Sequence, residues 1–354
     1  RLNRILPQQG FGRGVAVLAG GTAFGQALTV LAAPLLTRIY GPADFGVLAV
    51  YTSMVGILGG LAALSYHQAI PLPETDREAA PVLLVALTAT AAVAAAAGVA
   101  ALLWGGRIVQ LLDAPALVPF LWMVPLGVLG LAAYETLTQW AVRTRSFTAI
   151  ARTSVARGAA QVAAQLGLGL AGAGPVGLLA GQLLGQWVGG GSLARGAAKR
   201  NGPDLRAVTP AGLRQAAGRY QRFPQYTAPA VLLNTLGMDA PPLLLAYYFG
   251  GTVTGLYALG VRVLMMPVTL VAKSASQVFF ASAPQYLREG RLGAEVEKLF
   301  GHMLRLALAP TVIVAVAAPS IFAVIFGEEW REAGVYVRWL SPWPLLVFVA
   351  SAPT

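Results

Sequence analysis

The stretch "PLLTRIYGPADFGVLAV", residues 34 to 50, decides the fold. An arginine, a tyrosine and a Gly-Pro pair stand between two runs that water should reject. Val15 to Leu36 is 22 residues without a charge, and the chain is uncharged again from Phe45 to Pro73. A Gly41-Pro42 turn joining two membrane-crossing helices in a tight hairpin fits this pattern, with Asp44 placed to cap the second helix. Working outward from it, the composition is 56% hydrophobic and 11% charged, with a mean hydropathy of +0.66. Soluble domains carry roughly 25% charged residues, so the chain reads as an integral membrane protein.

A hydrocarbon core of about 30 Å needs about 20 apolar residues per helix. Ten such stretches lie near 15–36, 45–64, 80–104, 117–141, 149–171, 175–194, 226–249, 253–281, 303–326 and 334–351. Thr22, Gln26 and Thr29 interrupt the first, which makes it a poor cleaved signal peptide. From the absence of an initial Met, and an end just after the tenth stretch, a trimmed sequence is expected.

The net charge of +11 would draw nucleic acid to a soluble protein, but in a polytopic one the placement of charge matters more, and no nucleic-acid partner is expected. Counted by loop, the N-terminal arm and every second loop hold 18 Lys and Arg, seven of them in 195–225, while the opposite loops hold three: Arg38, Arg107 and Arg331. The positive-inside bias then puts the N-terminus and the 195–225 loop in the cytoplasm. With no cysteine, disulfides and thiolate metal sites are excluded. Two histidines and the lack of a G-x-x-x-x-G-K-[ST] loop or an H-E-x-x-H pair leave no sign of an enzyme, a resident metal or a cofactor.

The opening hairpin recurs. "APLLTRIYGPADFGVLAVYTSMVGIL" from Ala33 lies without gaps on "PLLLAYYFGGTVTGLYALGVRVLMMP" from Pro242, matching Leu35, Leu36, Gly41, Gly46 and Ala49 to Leu244, Leu245, Gly250, Gly255 and Ala258. Two parallel halves about an axis normal to the membrane would follow, a recurring transporter plan. The expected division is a six-helix lobe over 1–194, a basic cytoplasmic linker over 195–225 and a second lobe over 226–354.

Polar residues inside the spans fall at helical spacing, as a cavity between helices requires. The stripes are Thr22, Gln26 and Thr29; Glu135, Thr138 and Gln139; Arg157, Gln161 and Gln165; Gln182 and Gln186; and Arg262, Thr269, Lys273 and Gln277. Arg262 and Lys273 are eleven residues apart and return to within about 20° of one face. Each would cost about 2.5–3.5 kcal/mol at mid-bilayer. A cavity holding Arg157, Arg262 and Lys273 suits a phosphate or pyrophosphate, since guanidinium groups bind such oxygens bidentately. Neutralisation by Glu135 and Asp239 is the competing account of these cations. Asp239 precedes Pro241-Pro242, whose missing amide donors leave carbonyls unpaired, so that it could hold a proton or Na⁺; Glu135 is given the same role, and a salt bridge to an arginine is the alternative for both. Arg38, at the opposite membrane boundary, is either a residue snorkelling to headgroup phosphate or an outer-mouth contact for an anionic substrate.

Six runs in order, "GGTAFGQALTVLAAPLLTRIYGPADFG", "QLGLGL" with "GLLAGQLLGQ", "FPQYTAPAVLLNTLG", "GLYALGVRVLMMPVTLV", "SQVFF" and "FGEEWREAG", extend from Gly20 to about Trp343. Together they resemble the Wzx-type polysaccharide and oligosaccharide repeat-unit flippases of the multidrug/oligosaccharidyl-lipid/polysaccharide exporter superfamily. The resemblance implies an all-α protein of two pseudo-symmetric MATE-like lobes with twelve or more helices, hence a second lobe that stops here after its fourth helix. It implies transfer of an undecaprenyl-pyrophosphate-linked glycan across the bacterial cytoplasmic membrane by alternating access, coupled to H⁺ or Na⁺ and working beside a polymerase and other assembly proteins. Arg38, Arg262 and Gln277 fall in matching runs, whereas Arg157, Lys273 and Asp239 rest on periodicity alone. Where the family shows Arg-Tyr-Glu-Leu-Ala-Ile, this chain has Ser65-Tyr66-His67-Gln68-Ala69-Ile70. A drug or metabolite exporter of the same fold, and a membrane polymerase or ligase of lipid-linked sugars, are the rival readings.

Overall fold

The computed structural model describes residues 8–111 and 115–350, with side chains at 17–107, 118–265 and 286–347. Those residues form helices and short connections, with no strand among them. The first pair are α1 (Gln8–Leu31) and the short α2 (Ala33–Leu36), followed by α3 (Pro42–Ala62) and α4 (Asp76–Leu111). Next come α5 (Met123–Arg143), α6 (Phe147–Leu170), α7 (Pro175–Arg206) and α8 (Pro210–Arg219). The long α9 (Ala228–Arg288), α10 (Leu292–Phe326), α11 (Arg331–Leu340) and α12 (Pro342–Ala350) complete the set. In a bilayer the backbone finds no water, so each N–H and C=O must be paired within its own helix, and helices dominate for that reason.

Among the described residues, five stretches are long and apolar enough to cross a membrane: Val17–Leu36, Pro42–Ala62, Asp76–Arg107, Phe223–Met265 and Leu292–Phe326. Their outer faces carry large apolar side chains in the open, such as Leu102 at 85% and Val324 at 78% exposure. In water that would be a liability; here it is the lipid face. The tenth apolar stretch expected over 334–351 is not a single helix. It breaks at Ser341 into α11 and α12, because Pro342 and Pro344 lack the amides that would continue the ladder.

Local chemistry sets the turn at Gly41-Pro42. Pro42 is the first residue of α3, and the Asp44 carboxylate accepts the Gly41 N–H at 3.2 Å. The repeat partner of Gly41 is Gly250, where α9 breaks at φ +80° and ψ 175°, a backbone conformation that favours glycine. A second arm, 251–288, then runs on as the counterpart of α3.

These two helix starts lie against each other. A Cβ on Gly46 would fall 2.0 Å from the Gly251 carbonyl oxygen, and one on Gly255 would fall 1.8 Å from that of Pro42. Shifting 42 and 46 by the repeat offset gives 251 and 255, so the contact is its own mirror under the repeat: a pseudo-two-fold axis passes through it. The halves suggested by the sequence repeat therefore meet backbone to backbone. Along the rest of its length α3 packs on the first arm of α9, with Gly56 under Asp239 and Gly60 under Thr235.

A second core lies at the far end of the first half, where α4, α5, α6 and α7 converge and Ala216 of α8 is buried among them. The basic stretch 195–225 is thus largely helical: α7 continues to Arg206, and Thr209 caps α8 by accepting the Gly212 N–H. Arg143 ties this end together. Its Nε donates to Asp76 Oδ1 at 3.0 Å and its Nη1 to the carbonyls of Ile70 and Pro73, while Asn201 donates to Asp76 Oδ2. His67, in the connection between α3 and α4, has a buried Nδ1 without a partner.

Two outcomes follow from this packing. Gly46→Ala or Gly255→Ala drives a methyl into a carbonyl that cannot move alone, at about 3 kcal/mol or more. The thermal midpoint in detergent should fall by about 5 °C or more, while Gly191→Ala, with open space around it, leaves it unchanged. Burial pushes the His67 imidazole below its ordinary pKa. The unfolded chain then binds the proton first, so this stability is complete above about pH 6.5 and is lost as pH falls below it. Between pH 7 and pH 5 the wild type should lose more thermal stability than His67→Gln.

Candidate functional site

Directly beneath the glycine crossing, a cavity of about 480 Å³ opens between the two halves. Thr29 of α1, Phe45, Thr52 and Ser53 of α3, and Gln161 and Gln182 of α6 and α7 face it from one half. Asp239, Tyr257 and Arg262 of α9 and Trp343 of α12 face it from the other. Its size suits a head group or small ligand. Another cavity, of about 350 Å³ between α9, α10 and α12, is lined by Val263, Leu306, Phe322 and other uncharged residues, and offers no chemistry for an ion.

Arg262 supplies the positive charge. Its Nη2 donates to the Thr29 carbonyl at 3.4 Å, a long bond that ties α9 to α1 and leaves most of the guanidinium's donors toward the cavity. Asp239 faces the same space from the first arm of α9, its carboxylate against Gly56, and among the described residues it makes no ion pair. The helix runs on through Pro241 and Pro242, so the carbonyls of Gly237 and Met238 lack their usual donors. Cation and carboxylate thus share one cavity without bonding to each other.

The glutamines brace the other wall. Gln161 donates to Gln182 at 2.7 Å, and Gln165 donates to the Leu178 carbonyl at 3.1 Å. Gly158, Gly181 and Gly185 let α1, α6 and α7 approach closely enough for these bonds.

Arg157 stands one turn along α6 from Gln161, farther from the glycine crossing. Its guanidinium carbon lies 4.8 Å from the centre of the Tyr134 ring, and its stem runs between Gly185 and Gly189 of α7. Glu135, exposed on α5, is within electrostatic reach of it. Arg157 and Glu135 therefore form a separate charged cluster next to the cavity and do not line it. Arg38 lies away from both, at the crossing end, with its guanidinium beside Gly327. The side chains of Lys273, Gln277 and Thr269 lie outside the described residues. Among the described residues no group of His, Cys, Asp and Glu is arranged to hold a metal ion.

Sequence reasoning overlooked Tyr257, Trp343 and the Thr52-Ser53 pair as lining residues. An unbroken apolar run hides a hydroxyl pair that satisfies itself by bonding back along the helix, as Thr52 does to Leu48 and Ala49.

The comparisons bear on this geometry. Residues 35–334 match the family model described as "Polysaccharide biosynthesis protein". The chain belongs to that family. Its fold is that of the MATE transporters: one solved structure, titled as the inward-facing conformation of a multidrug resistance MATE family transporter of the MOP superfamily, is 14% identical, with a TM-score of 0.64 over 94% of this chain and 80% of that one. A MATE structure in a bent conformation is also 14% identical, with a TM-score of 0.54 over 95% and 81% of the two chains. No curated protein matches the sequence. The family is one of polysaccharide biosynthesis and the fold is the one seen in MATE proteins, so the cavity between the lobes is the candidate site.

The different settings of two aspartates yield a stability contrast. Asp239 is half-buried with no cation partner among the described residues, so Asp239→Asn should raise the thermal midpoint at pH 7 by a few degrees. Asp76→Asn removes the partner of a buried arginine and should cost about 2 kcal/mol.

Proposed function

We propose that the chain is a flippase that carries an undecaprenyl-pyrophosphate-linked oligosaccharide from the cytoplasmic to the outer leaflet of the bacterial inner membrane. The observation that carries this reading is Arg262 in a polar cavity between two halves, held among the described residues only to a backbone carbonyl, in a chain of a polysaccharide-biosynthesis family. A guanidinium with free donors binds phosphate oxygens strongly in a site withdrawn from water. The polyprenyl tail stays in lipid while the head group enters the cavity.

The bias of Lys and Arg supports a cytoplasmic N-terminus and linker; in that orientation the glycine crossing faces outward and the Arg157–Glu135 cluster lies on the inward path to the cavity. Lys273 and Gln277, whose side chains lie outside the described residues, are assigned to the same substrate path on their sequence spacing from Arg262, and Arg38 is assigned to the outer mouth. Rocking of the halves, 1–194 against 226–354, then alternates access, with 195–225 as their cytoplasmic connection. A ligand shifts this equilibrium only by its differential affinity for the two states, so the arginines must bind the pyrophosphate more weakly once the cavity faces outward. Return is coupled to H⁺ or Na⁺ at Asp239, which lines the cavity with Arg262, or at Glu135, which lies within electrostatic reach of Arg157. No covalent step is assigned, and a polymerase acting on the delivered unit is the natural partner.

A multidrug exporter is the reading that the titled MATE neighbour favours. The arginine in the cavity argues against organic cations as cargo.

Replacing Arg262 and Arg157 together with Ala should reduce surface polysaccharide by about tenfold or more, each loss being worth a charge-assisted hydrogen bond. The amount of protein in the membrane should stay the same, and the lipid-linked precursor should collect on the cytoplasmic leaflet. Normal polymer in the double variant would refute the charged-cavity mechanism, and resistance to cationic dyes on overexpression would favour the exporter.

A further inference from the structure

The run "FGEEW", residues 326 to 330, is not used by the cavity, yet it makes an elaborate contact across the two halves. Gly327, at φ +117°, turns the chain out of α10, and a short 3-10 turn of Glu328–Trp330 leads into α11. Trp330 is fully buried. Its ring meets Phe45 of α3 edge to face, with centroids 5.1 Å apart and planes at 78°. Its Nε1–H donates to the Thr37 carbonyl at 3.4 Å. Arg38 lies over Gly327 beside it. Phe45 also lines the cavity, so the tryptophan sits one side chain away from the transported group.

Each side of this contact is fixed to its own half. On one side, a Cβ at Gly334 would come within 2.5 Å of the Ala318 carbonyl, so α11 and its leading turn are held rigidly to α10. On the other, the Tyr40 hydroxyl donates to the Gln165 carbonyl at 2.6 Å, anchoring the α2–α3 corner to α6. Between the two run the ring contact, the long hydrogen bond, Arg38 over Gly327, apolar packing and the glycine crossing, with no salt bridge among the described residues. Such a joint can part without either side unfolding.

We propose that the 327–330 turn is an outer latch, with Trp330 as its bolt and the Thr37–Phe45 corner as its socket, which holds the cavity closed to the outside and must withdraw before the head group can leave. This rests on the alternating-access reading of the proposed function. Withdrawal exposes Phe45 on the cavity wall, and the hydrated charges of Glu328, Glu329 and Arg331 then remain in water on either side of the motion.

The chain contains no cysteine, so a single reporter can be read directly. Thr52→Cys, on the cavity wall, is labelled in intact cells with a membrane-impermeant maleimide. With the latch intact, labelling from outside should be slow. Trp330→Ala should speed it about tenfold by shifting the population toward the outward-open state. Trp330→Phe, which keeps a ring for Phe45, should lie between the two. Trp339→Ala, on the exposed side of α11 at 78% exposure, should match the parent. If Trp330→Ala lowers the protein in the membrane, Phe45→Leu opens the same joint from the other side. Equal labelling in the Trp330→Ala, Phe45→Leu and Trp339→Ala backgrounds would overturn the latch, as would a fast-labelling parent. If labelling follows the latch while the arginine variants make normal polysaccharide, the latch stands and the glycan reading fails.

Discussion

The crossing of α3 on the second arm of α9 is the contact on which the rest of the molecule depends. Pro42 and Gly46 meet Gly251 and Gly255 at backbone distance, closer than any side chain permits. In a membrane there is little hydrophobic gain from bringing two helices together, since lipid is as apolar as leucine, and close approach of small residues is one of the few remaining sources of affinity. The crossing is confined to one end of the helices. Below it α3 stays packed on the first arm of α9 through Gly56 and Gly60, and the cavity of about 480 Å³ opens beside that seam.

That arrangement explains why a guanidinium can lie at this depth. Arg262 follows Gly255 by seven residues, two turns of helix, so it is carried round to the same face that makes the crossing. The crossing thereby aims the charge into the space between halves and away from lipid. Asp239 is aimed by a similar device, since Gly56 of α3 leaves room for its carboxylate. Among the described residues neither group is ion-paired with the other, which leaves each able to attract a ligand of opposite charge. Arg157 is handled differently: Tyr134 and the glycines of α7 hold its stem, and Glu135 supplies a nearby opposite charge.

How much of this was legible beforehand differs by residue. The Gly41–Gly250 correspondence could be read because both glycines serve the same backbone purpose, ending one helix and starting another. Gln161 and Gln182 could be read from their periodicity, and they face the cavity and bond to each other. The same periodicity placed Arg157 with Arg262, whereas the fold sets it one turn past the cavity wall. Helical spacing gives the face of a residue, but not which neighbour covers that face. Trp330 carried no signal of its own, because an aromatic near a membrane boundary is commonplace.

The sequence by itself determined that this is a bundle of membrane helices, where its hairpins turn, and that it contains two related halves. Each of these follows from local rules: the length of apolar runs, the backbone freedom of glycine and proline, and the cost of charge in lipid. Only the tertiary structure decided which polar faces meet, that Arg262 and Asp239 share a cavity, and that Trp330 packs on Phe45 and bonds to Thr37, 293 positions away. Those pairings depend on the crossing point of helices far apart in the chain, and a crossing point is a property of two surfaces together, which no single stretch of residues contains.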